Sequence, residues 1–118
     1  MPKHIHTGKL GEQLAAAYFL QQGFQILEQN WRHGHWEVDI IACKNDILYF
    51  IEVKARRSQK YGLPEESVSR KKMENLALAA EQYLYQHPQW KRIQFDILAI
   101  SLSANNNPEY FHIRDVSV

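Results

Sequence analysis

The sequence predicts an α/β fold in which two helices pack on a central mixed β-sheet. Helical and strand-like hydrophobic patterns alternate along the chain, in the order helix, three strands, helix, two strands. The third predicted strand is apolar on both faces at its start, which is typical of a strand in the middle of a sheet. One long predicted helix separates the third strand from the fourth, and a connection of that length permits a parallel crossover.

Composition narrows the class of protein. The chain has 118 residues, of which 45% are hydrophobic and 23% charged, so we expect one globular domain over residues 1–118 with a core at about 8–102. Its single cysteine, Cys43, excludes an intrachain disulfide and fits a reducing compartment. No apolar run approaches the roughly 20 residues that span a bilayer, and the first residues lack the apolar stretch of a secretory signal. The sequence therefore predicts a cytoplasmic protein that does not enter the membrane.

The first half of the chain is predicted to form one helix and three strands. Apolar residues recur at helical spacing over residues 10–22, with Thr7 as a candidate N-cap and Gly23 as a natural stop. Strands are predicted at residues 24–31, 37–43 and 47–55. Asn45 and Asp46, between the last two strands, are typical of a two-residue hairpin loop.

The second half is predicted to form one helix and two strands. Ser69 can cap a helix that runs to about residue 86, because Met73, Leu76 and Ala80 recur on one face. The two strands are predicted at residues 93–101 and 110–116. Residues 56–63 and 104–108 are predicted loops.

Charge is unevenly distributed, although the net charge is only +1. Residues 28–52 contain five acidic and two basic side chains, whereas residues 54–72 contain seven basic and two acidic ones. The small net charge argues against a histone-like binder. The acidic segment could hold a metal site and the basic segment that follows it could bind phosphate. Two solvated faces of opposite charge are the more ordinary alternative.

Acidic side chains converge at the end of the third predicted strand. By parity, Glu52 and Lys54 share one face of that strand, and Glu37 and Asp39 share one face of the strand before it. A two-residue loop would set Asp39 opposite Glu52, and in the same register Glu37 opposite Lys54. Two carboxylates at that distance repel each other unless a cation or a proton intervenes. A plain Glu–Lys pair at the rim of the sheet is the structural alternative.

A hard divalent cation such as Mg²⁺ or Mn²⁺ suits this arrangement. It takes oxygen ligands, which Asp39, Glu52 and the backbone carbonyl of Val53 could supply. A water bound to such an ion has a lowered pKa and becomes a nucleophile. Lys54 would point at the same site, where it can orient that water or neutralise charge developing on a phosphate. These are the requirements of phosphodiester hydrolysis.

Asp39 and the tripeptide Glu52-Val53-Lys54 resemble the PD-(D/E)xK nuclease motif. A longer ordered set of residues resembles the YraN family of small bacterial proteins, which are similar to archaeal Holliday-junction resolvases. This set spans about residues 8–100 and comprises Gly11-Glu12, Gly23, Asn30-Trp31-Arg32, residues 37–42, residues 50–54, Gly62, Lys71 and Phe95-Asp96. The resemblance implies a restriction-endonuclease-like fold with a helix, a three-stranded meander, a helix and return strands. Trp36, Gln94 and Ala55 stand where the family usually has Gly, Arg and Thr.

Further candidates complete the predicted site. In resolvase-like nucleases a glutamate of the first helix joins the metal site, and Glu12 matches that place by resemblance, although a carboxylate in a first turn also favours the helix dipole. The predicted nucleic-acid-binding residues are Arg56, Arg57, Lys60, Arg70, Lys71 and Lys72, with a solvated basic turn as the alternative. Glu37 is a secondary candidate. Asp96 lies in an apolar strand, so we expect it to have a buried structural partner.

The tryptophans add a weaker signal for nucleic acid. Trp31, Trp36 and Trp90 could stack on bases, with packing in the core or at its rim the better interpretation of Trp31 and Trp90.

Two functions of different kinds are consistent with these residues. The first is a metal-dependent nuclease acting on DNA, on branched or damaged structures, for which a homodimer would allow two strands to be cut. The second is a nucleic-acid-binding module that keeps the fold with little or no catalysis. A protein-interaction domain whose carboxylates only pair with Lys54 is a distant third. The intact set of Asp39, Glu52 and Lys54 favours the nuclease.

Overall fold

The architecture comes from a computed structural model, which describes residues 3–57, 69–103, 105 and 107–117, with side chains from residue 8 onward. The elements follow the predicted order of helix, three strands, helix and two strands. They are α1 (Lys3–Gln21), β1 (Gln25–His33), β2 (Trp36–Lys44), β3 (Ile47–Arg56), α2 (Arg70–Gln86), β4 (Ile93–Leu102) and β5 (Pro108–Ile113).

The five strands form one mixed sheet in the order β1-β2-β3-β4-β5. Strand β3 is central: it pairs antiparallel with β2 and parallel with β4. The two outer pairs, β1 with β2 and β4 with β5, are antiparallel. The predicted mixed sheet with a parallel crossover between the third and fourth strands is therefore confirmed.

The helices cover opposite faces of the sheet. On the α1 face, Phe19 belongs to a buried cluster with Tyr49 and Ile51 of β3. On the α2 face, Met73 and Leu76 belong to a second cluster with Leu48 and Phe50 of the same strand. Successive residues of β3 thus alternate between two apolar layers, which explains why its sequence is apolar at both parities.

Helix α1 begins earlier than its apolar pattern predicts. It starts at Lys3, so Thr7 lies inside the helix and its prediction as the N-cap was wrong. Residues 3–9 carry few apolar side chains, so a periodicity argument does not extend the helix over them. The predicted stop is confirmed, because Gly23 has a φ of +93° and its N–H donates to the Leu20 carbonyl oxygen at 3.1 Å.

The hairpin between β2 and β3 has the predicted two-residue loop. Asn45 and Asp46 both have positive φ, +53° and +67°, as a tight turn of the primed type requires. The register that follows pairs Lys44 with Ile47 and continues to the pair Ile40↔Ile51. None of the described helices is long and apolar enough to cross a membrane.

Candidate active site

Asp39 lies where strand β2 loses its regular pairing. Its ladder with β1 keeps one register from Gln29↔Ile40 to Trp31↔Val38, but the residues between these pairs, Asn30 and Asp39, are not paired, and Asn30 has a φ of +52°. Its ladder with β3 runs only as far as Ile40. Here the Asp39 carboxylate turns to β3, where Oδ2 accepts a hydrogen bond from the Val53 N–H at 2.8 Å.

This irregularity corrects part of the predicted register. The antiparallel pairing ends one step before Asp39 and Glu52, so these two residues are not a pair of the ladder. Glu37, predicted to face Lys54, instead forms an ion pair with Arg32 across the β1–β2 hairpin, at 3.2 Å. The physical reason is that the ladder between β2 and β3 ends at Ile40, so the start of β2 pairs with β1 and not with β3.

Glu52 is buried, with 4% of its surface exposed, and its partner is a lysine of α2. Lys72 Nζ lies 2.8 Å from Glu52 Oε2. Ser69 fixes the start of that helix as predicted, because its Oγ accepts a hydrogen bond from the Lys72 N–H at 3.1 Å. The first turn of α2 therefore delivers an ammonium group to a carboxylate at the end of the central strand.

The sequence predicts that Lys72 contacts phosphate and offers Lys54 as the alternative partner of the carboxylates, whereas the structure pairs Glu52 with Lys72. A signal was present, because Lys72 immediately precedes Met73 and is four residues before Leu76, and both of these are buried. That spacing places Lys72 at the border of the buried face of α2. Which carboxylate it reaches depends on how the helix lies on the sheet, which the local pattern does not contain.

A cavity of about 310 Å³ lies between the ends of these elements. Its lining from the strands and the β1–β2 turn consists of His35, Trp36, Glu37, Asp39 and Glu52. Its lining from the start of α2 consists of Ser69, Lys71, Lys72 and Asn75. Of the predicted site residues, the structure thus brings together two central carboxylates, the secondary candidate Glu37 and two lysines of the basic group.

The electrostatics of the cavity set Asp39 apart. Burial, and after it the neighbouring Glu52 carboxylate, raise the pKa of Asp39 from 3.8 to about 7. The Val53 N–H and Lys72 oppose this rise only in part. The pKa of Lys72 is also raised, chiefly by its hydrogen bond to Glu52. A carboxyl group with a pKa near 7 in a cleft can exchange a proton or accept a cation under physiological conditions.

Several predicted site residues lie outside the cavity lining. Lys54 and Val53 are half-buried in β3 just past Glu52. Glu12 is exposed on α1, which packs on the opposite face of the sheet, so the structure does not bring it to the cavity. Since α1 begins at Lys3, Glu12 is also well past the first turn, and the dipole interpretation of this residue was wrong.

The remaining basic candidates are only partly placed. Arg70 is exposed at the start of α2, Arg56 is half-buried at the end of β3 and Arg57 follows it, exposed. Lys60 lies outside the described residues, as does most of the predicted loop 56–63.

Asp96 has the buried structural partner that the sequence predicts. It is 0% exposed on the α1 face, and His112 Nε2 lies 2.8 Å from its Oδ2. Its Oδ1 accepts hydrogen bonds from Gln94 Nε2 and from the Asp115 N–H, each at 3.0 Å. Burial alone would raise the pKa of Asp96, but the hydrogen bonds from His112, the Asp115 N–H and Gln94 outweigh it and lower that pKa below its ordinary value.

Within the described part of the chain, no group of three or more His, Cys, Asp or Glu side chains is arranged to hold a metal ion. The carboxylates that line the cavity are those of Asp39, Glu52 and Glu37, of which Glu52 is paired with Lys72 and Glu37 with Arg32.

The fold and the site define a compact α/β protein with a carboxylate–lysine cavity at one end of its central strand. The model of the family described as "Uncharacterised protein family UPF0102" matches residues 11–100, a range that contains Asp39, Glu52, Lys54 and Lys72. The chain belongs to the UPF0102 family, so the membership expected from its YraN-like residues is confirmed.

Three relatives illustrate this membership, each named a UPF0102 protein. The protein of Rhodococcus opacus (strain B4) is 39% identical over 116 residues, which cover 98% of each chain. That of Cytophaga hutchinsonii is 46% identical over 99 residues, covering 84% of this chain and 88% of the relative. That of Dictyoglomus thermophilum is 46% identical over 97 residues, covering 81% and 82%.

Proposed function

We propose that this protein is a metal-dependent nuclease that hydrolyses phosphodiester bonds in DNA, with a restriction-endonuclease-like fold and a site of the PD-(D/E)xK type. The observation that carries the proposal is the pair of carboxylates, Asp39 and Glu52, that share one cavity with lysines at the end of the central strand. Stability alone does not call for this arrangement, since apolar residues at such positions usually fold as well or better.

The donor atoms of the cavity fit a hard divalent cation. Asp39, Glu52 and the backbone carbonyl of Val53 would hold Mg²⁺ or Mn²⁺, and all three donors are oxygens. Among the residues that the structure describes, no third acidic or imidazole side chain joins these two carboxylates in a metal-binding group, which suits an ion that keeps several of its waters. When bound, the ion would lower the pKa of a coordinated water and stabilise charge on a phosphate.

The cationic residues would position the nucleic acid. Lys71 lines the cavity from the first turn of α2, and Arg70 is exposed beside it, so both can contact backbone phosphates. Lys54, two residues past Glu52, would neutralise charge that develops on the reacting phosphate. Arg56, Arg57 and Lys60 would extend the phosphate contacts along the backbone. We place this activity in the cytoplasm and on DNA, in repair or recombination of branched or damaged structures.

One observation favours the alternative of a nucleic-acid-binding module without catalysis. The Glu52 carboxylate already has a cation, because Lys72 Nζ lies 2.8 Å away. If that ion pair persists when nucleic acid binds, the carboxylates only anchor α2, and the lysines bind phosphate without hydrolysis. The two functions therefore differ in whether a divalent ion can displace Lys72 from Glu52.

Metal binding and cleavage by matched variants separate these functions. Asp39→Asn keeps the side-chain shape and the acceptor for the Val53 N–H but removes a charge, whereas Asp46→Asn makes the same change in the exposed hairpin loop. We expect saturating Mn²⁺ to raise the Tm of the wild type and of Asp46→Asn by several degrees, through preferential binding to the native state, and to leave Asp39→Asn unchanged. Cleavage of branched DNA should fall by orders of magnitude only in Asp39→Asn.

Variants of Lys54 and Lys72 separate metal binding from cleavage. Lys54→Met should lower cleavage and leave the Mn²⁺-dependent rise in Tm intact, because this lysine acts on phosphate or water. Lys72→Met should strengthen Mn²⁺ binding, because it removes the competing cation. Equal residual cleavage by the wild type, Asp39→Asn and Lys54→Met would indicate a contaminating nuclease, and we would then adopt the binding-module function.

A further inference from the structure

Four aromatic side chains surround the tip of the β1–β2 hairpin, on either side of a turn at Gly34, which has a φ of +62°. The rings of Trp31, His33 and Trp36 follow one another at centroid distances of 6.2 and 6.4 Å and lie within 14° and 18° of parallel. His35 lies against Trp36 at 5.3 Å. We call the group Trp31, His33, His35 and Trp36 the hairpin-tip aromatics.

The members of this group differ in what holds them. Trp31 is anchored in the fold, because its ring meets the edge of Tyr83 of α2 at a centroid distance of 5.3 Å. Trp36 is half-buried, and both histidines are exposed. The stack therefore begins on the core and ends at the surface, so that its outer rings are held in place by packed ones.

The outer end of the stack opens onto the candidate active site. Trp36 and His35 line the same cavity as Asp39 and Glu52, with Lys71 on its other side. An aromatic surface next to ammonium groups is the combination with which proteins bind single-stranded nucleic acid, since each base has a face that stacks and each phosphate attracts a cation.

We propose that the hairpin-tip aromatics are a stacking site for an unpaired nucleobase, with Trp36 as the principal contact and the adjoining phosphate in the cavity. This inference rests on the proposed function and deepens it by naming the substrate class. A base inside a duplex is covered on both faces by its neighbours, so a protein ring reaches it only where the base is unpaired or unstacked. The substrate is DNA with single-stranded nucleotides next to the phosphate in the cavity.

The test measures binding without metal, so that it does not depend on cleavage. The probes are a twelve-nucleotide oligothymidylate, an abasic oligonucleotide of equal length and a blunt duplex, each followed by fluorescence anisotropy. Trp36→Ala should weaken oligothymidylate binding about tenfold, the loss typical of one base–aromatic stack, with little change for the abasic probe and the duplex. Trp90→Ala is the matched control, because Trp90 is also half-buried beside lysine and arginine but lines a different cavity.

A second variant guards against misfolding of Trp36→Ala. Trp36→Phe keeps an aromatic ring at the packed position, so it should retain most of the affinity for oligothymidylate. It should lose the tryptophan fluorescence quenching that oligothymidylate causes in the wild type and in Trp90→Phe. Equal weakening of all three probes by Trp36→Ala, or quenching that survives in Trp36→Phe, would overturn the stacking site.

The outcomes separate this inference from the proposed function. If Asp39→Asn cleaves like the wild type while Trp36→Ala still discriminates between thymidylate and abasic probes, the nuclease fails and the base site stands in a binding module. If cleavage depends on Asp39 but Trp36→Ala binds all probes like the wild type, only the base site fails. Absence of binding to every probe by the wild type overturns the base site, and the dependence of branched-DNA cleavage on Asp39 then decides the nuclease separately.

Discussion

Asp96 and Asp39 are carboxyl groups of the same sheet, the first buried and the second half-buried, and their surroundings move their pKa values in opposite directions. On the α1 face, three donors surround Asp96 and lower its pKa. On the α2 face, burial and the nearby Glu52 carboxylate raise the pKa of Asp39 to about 7. Asp39 also lines a cavity together with other charged side chains.

The comparison separates a structural acid from a candidate functional one. Around Asp96 the hydrogen bonds continue outward, because His112 donates from Nε2 and its Nδ1 can accept from the Tyr18 hydroxyl at 3.2 Å. A network in which each polar group has a partner stabilises a fold and leaves little capacity to bind anything. Asp39 has one backbone donor and a like-charged neighbour, so its free energy would fall on binding a cation or a proton.

The largest expected effect is that of Asp96→Ala. It leaves His112 Nε2, Gln94 Nε2 and the Asp115 N–H without their acceptor, so we expect a loss of about 4 kcal/mol in the free energy of unfolding at pH 7. Urea unfolding measures it, with Asp115→Asn on the exposed turn as a control that should change by less than about 0.5 kcal/mol. A loss below about 1 kcal/mol would contradict a structural role, since even one lost buried hydrogen bond costs that much.

The hydrogen bonds to Asp96 should also make the stability of the wild type depend on pH. Because the pKa of Asp96 is lower in the native state than in the unfolded state, its contribution is present above the ordinary value of 3.8. That contribution is lost as the pH falls through the native pKa. The acid limb of the stability profile should therefore be shallower in the Ala variant.

The second expected effect concerns how tightly α1 docks on its face. A Cβ on Gly11 would lie 2.5 Å from the Ala55 Cβ of β3, whereas a Cβ on Gly8 would meet nothing within 4 Å. Gly11→Ala should cost about 2 kcal/mol through overpacking. Gly8→Ala should add about 1 kcal/mol through helix propensity. Thermal or urea unfolding of the two variants should differ by about 3 kcal/mol, and equal stabilities would show that α1 shifts freely on the sheet.

The local and the non-local parts of the structure differ in how far sequence could predict them. Two local properties predict the pairing of β2 with β3 and its register as far as Ile40. They are the turn at Asn45 and Asp46 and the alternation of side chains along β3. The irregularity at Asn30 and Asp39 involves two strands at once, and no residue pattern in β2 alone specifies it.

The cation beside Glu52 is a second feature that local sequence patterns do not predict. Strand parity predicts Lys54 as the cation nearest the carboxylates, because it relates only residues of the same strand or of neighbouring strands. The actual partner, Lys72, comes from a helix on the far side of a long connection, and its position follows from helix–sheet packing. The α1 network has the same origin, since it joins Asp96 of β4 to His112 of β5 and Tyr18 of α1.

The third expected effect is a pH dependence of stability opposite in sign to that of Asp96. Asp39 has its pKa raised from 3.8 to about 7, so its contribution to stability is complete below pH 3.8 and is lost as the pH rises through 7. Asp39→Asn stays neutral and should be more stable than the wild type at pH 8, by about 2 kcal/mol of the roughly 4 kcal/mol that such a pKa difference permits. At pH 4 the two should be nearly equal.

Urea unfolding at pH 4, 6 and 8 measures this effect, with Asp46→Asn as the control whose difference from the wild type should not vary across that range. Added Mn²⁺ should erase the advantage of Asp39→Asn at pH 8, because only the wild type gains a bound cation. Parallel pH profiles for the wild type and Asp39→Asn would show that Asp39 is as well satisfied as Asp96 and would remove the contrast between the two faces.

The smallest expected effect, that of Ser69→Ala, links the α2 cap to the charge balance of the cavity. Loss of the hydroxyl that accepts from the Lys72 N–H should cost about 1 kcal/mol, and Ser69→Thr, which keeps a capping oxygen, should retain most of the stability.

Because the cap also fixes the residue whose ammonium pairs with Glu52, a frayed first turn should weaken that ion pair. Lys72 opposes the rise in the pKa of Asp39, so that pKa should move further up in Ser69→Ala and not in Ser69→Thr. Carboxyl NMR titration of Asp39 measures this shift, and Asp96, on the opposite face, is the internal reference. An unchanged Asp39 titration in a variant that has lost the cap energy would mean that Lys72 is held by the cavity itself and not by the helix terminus.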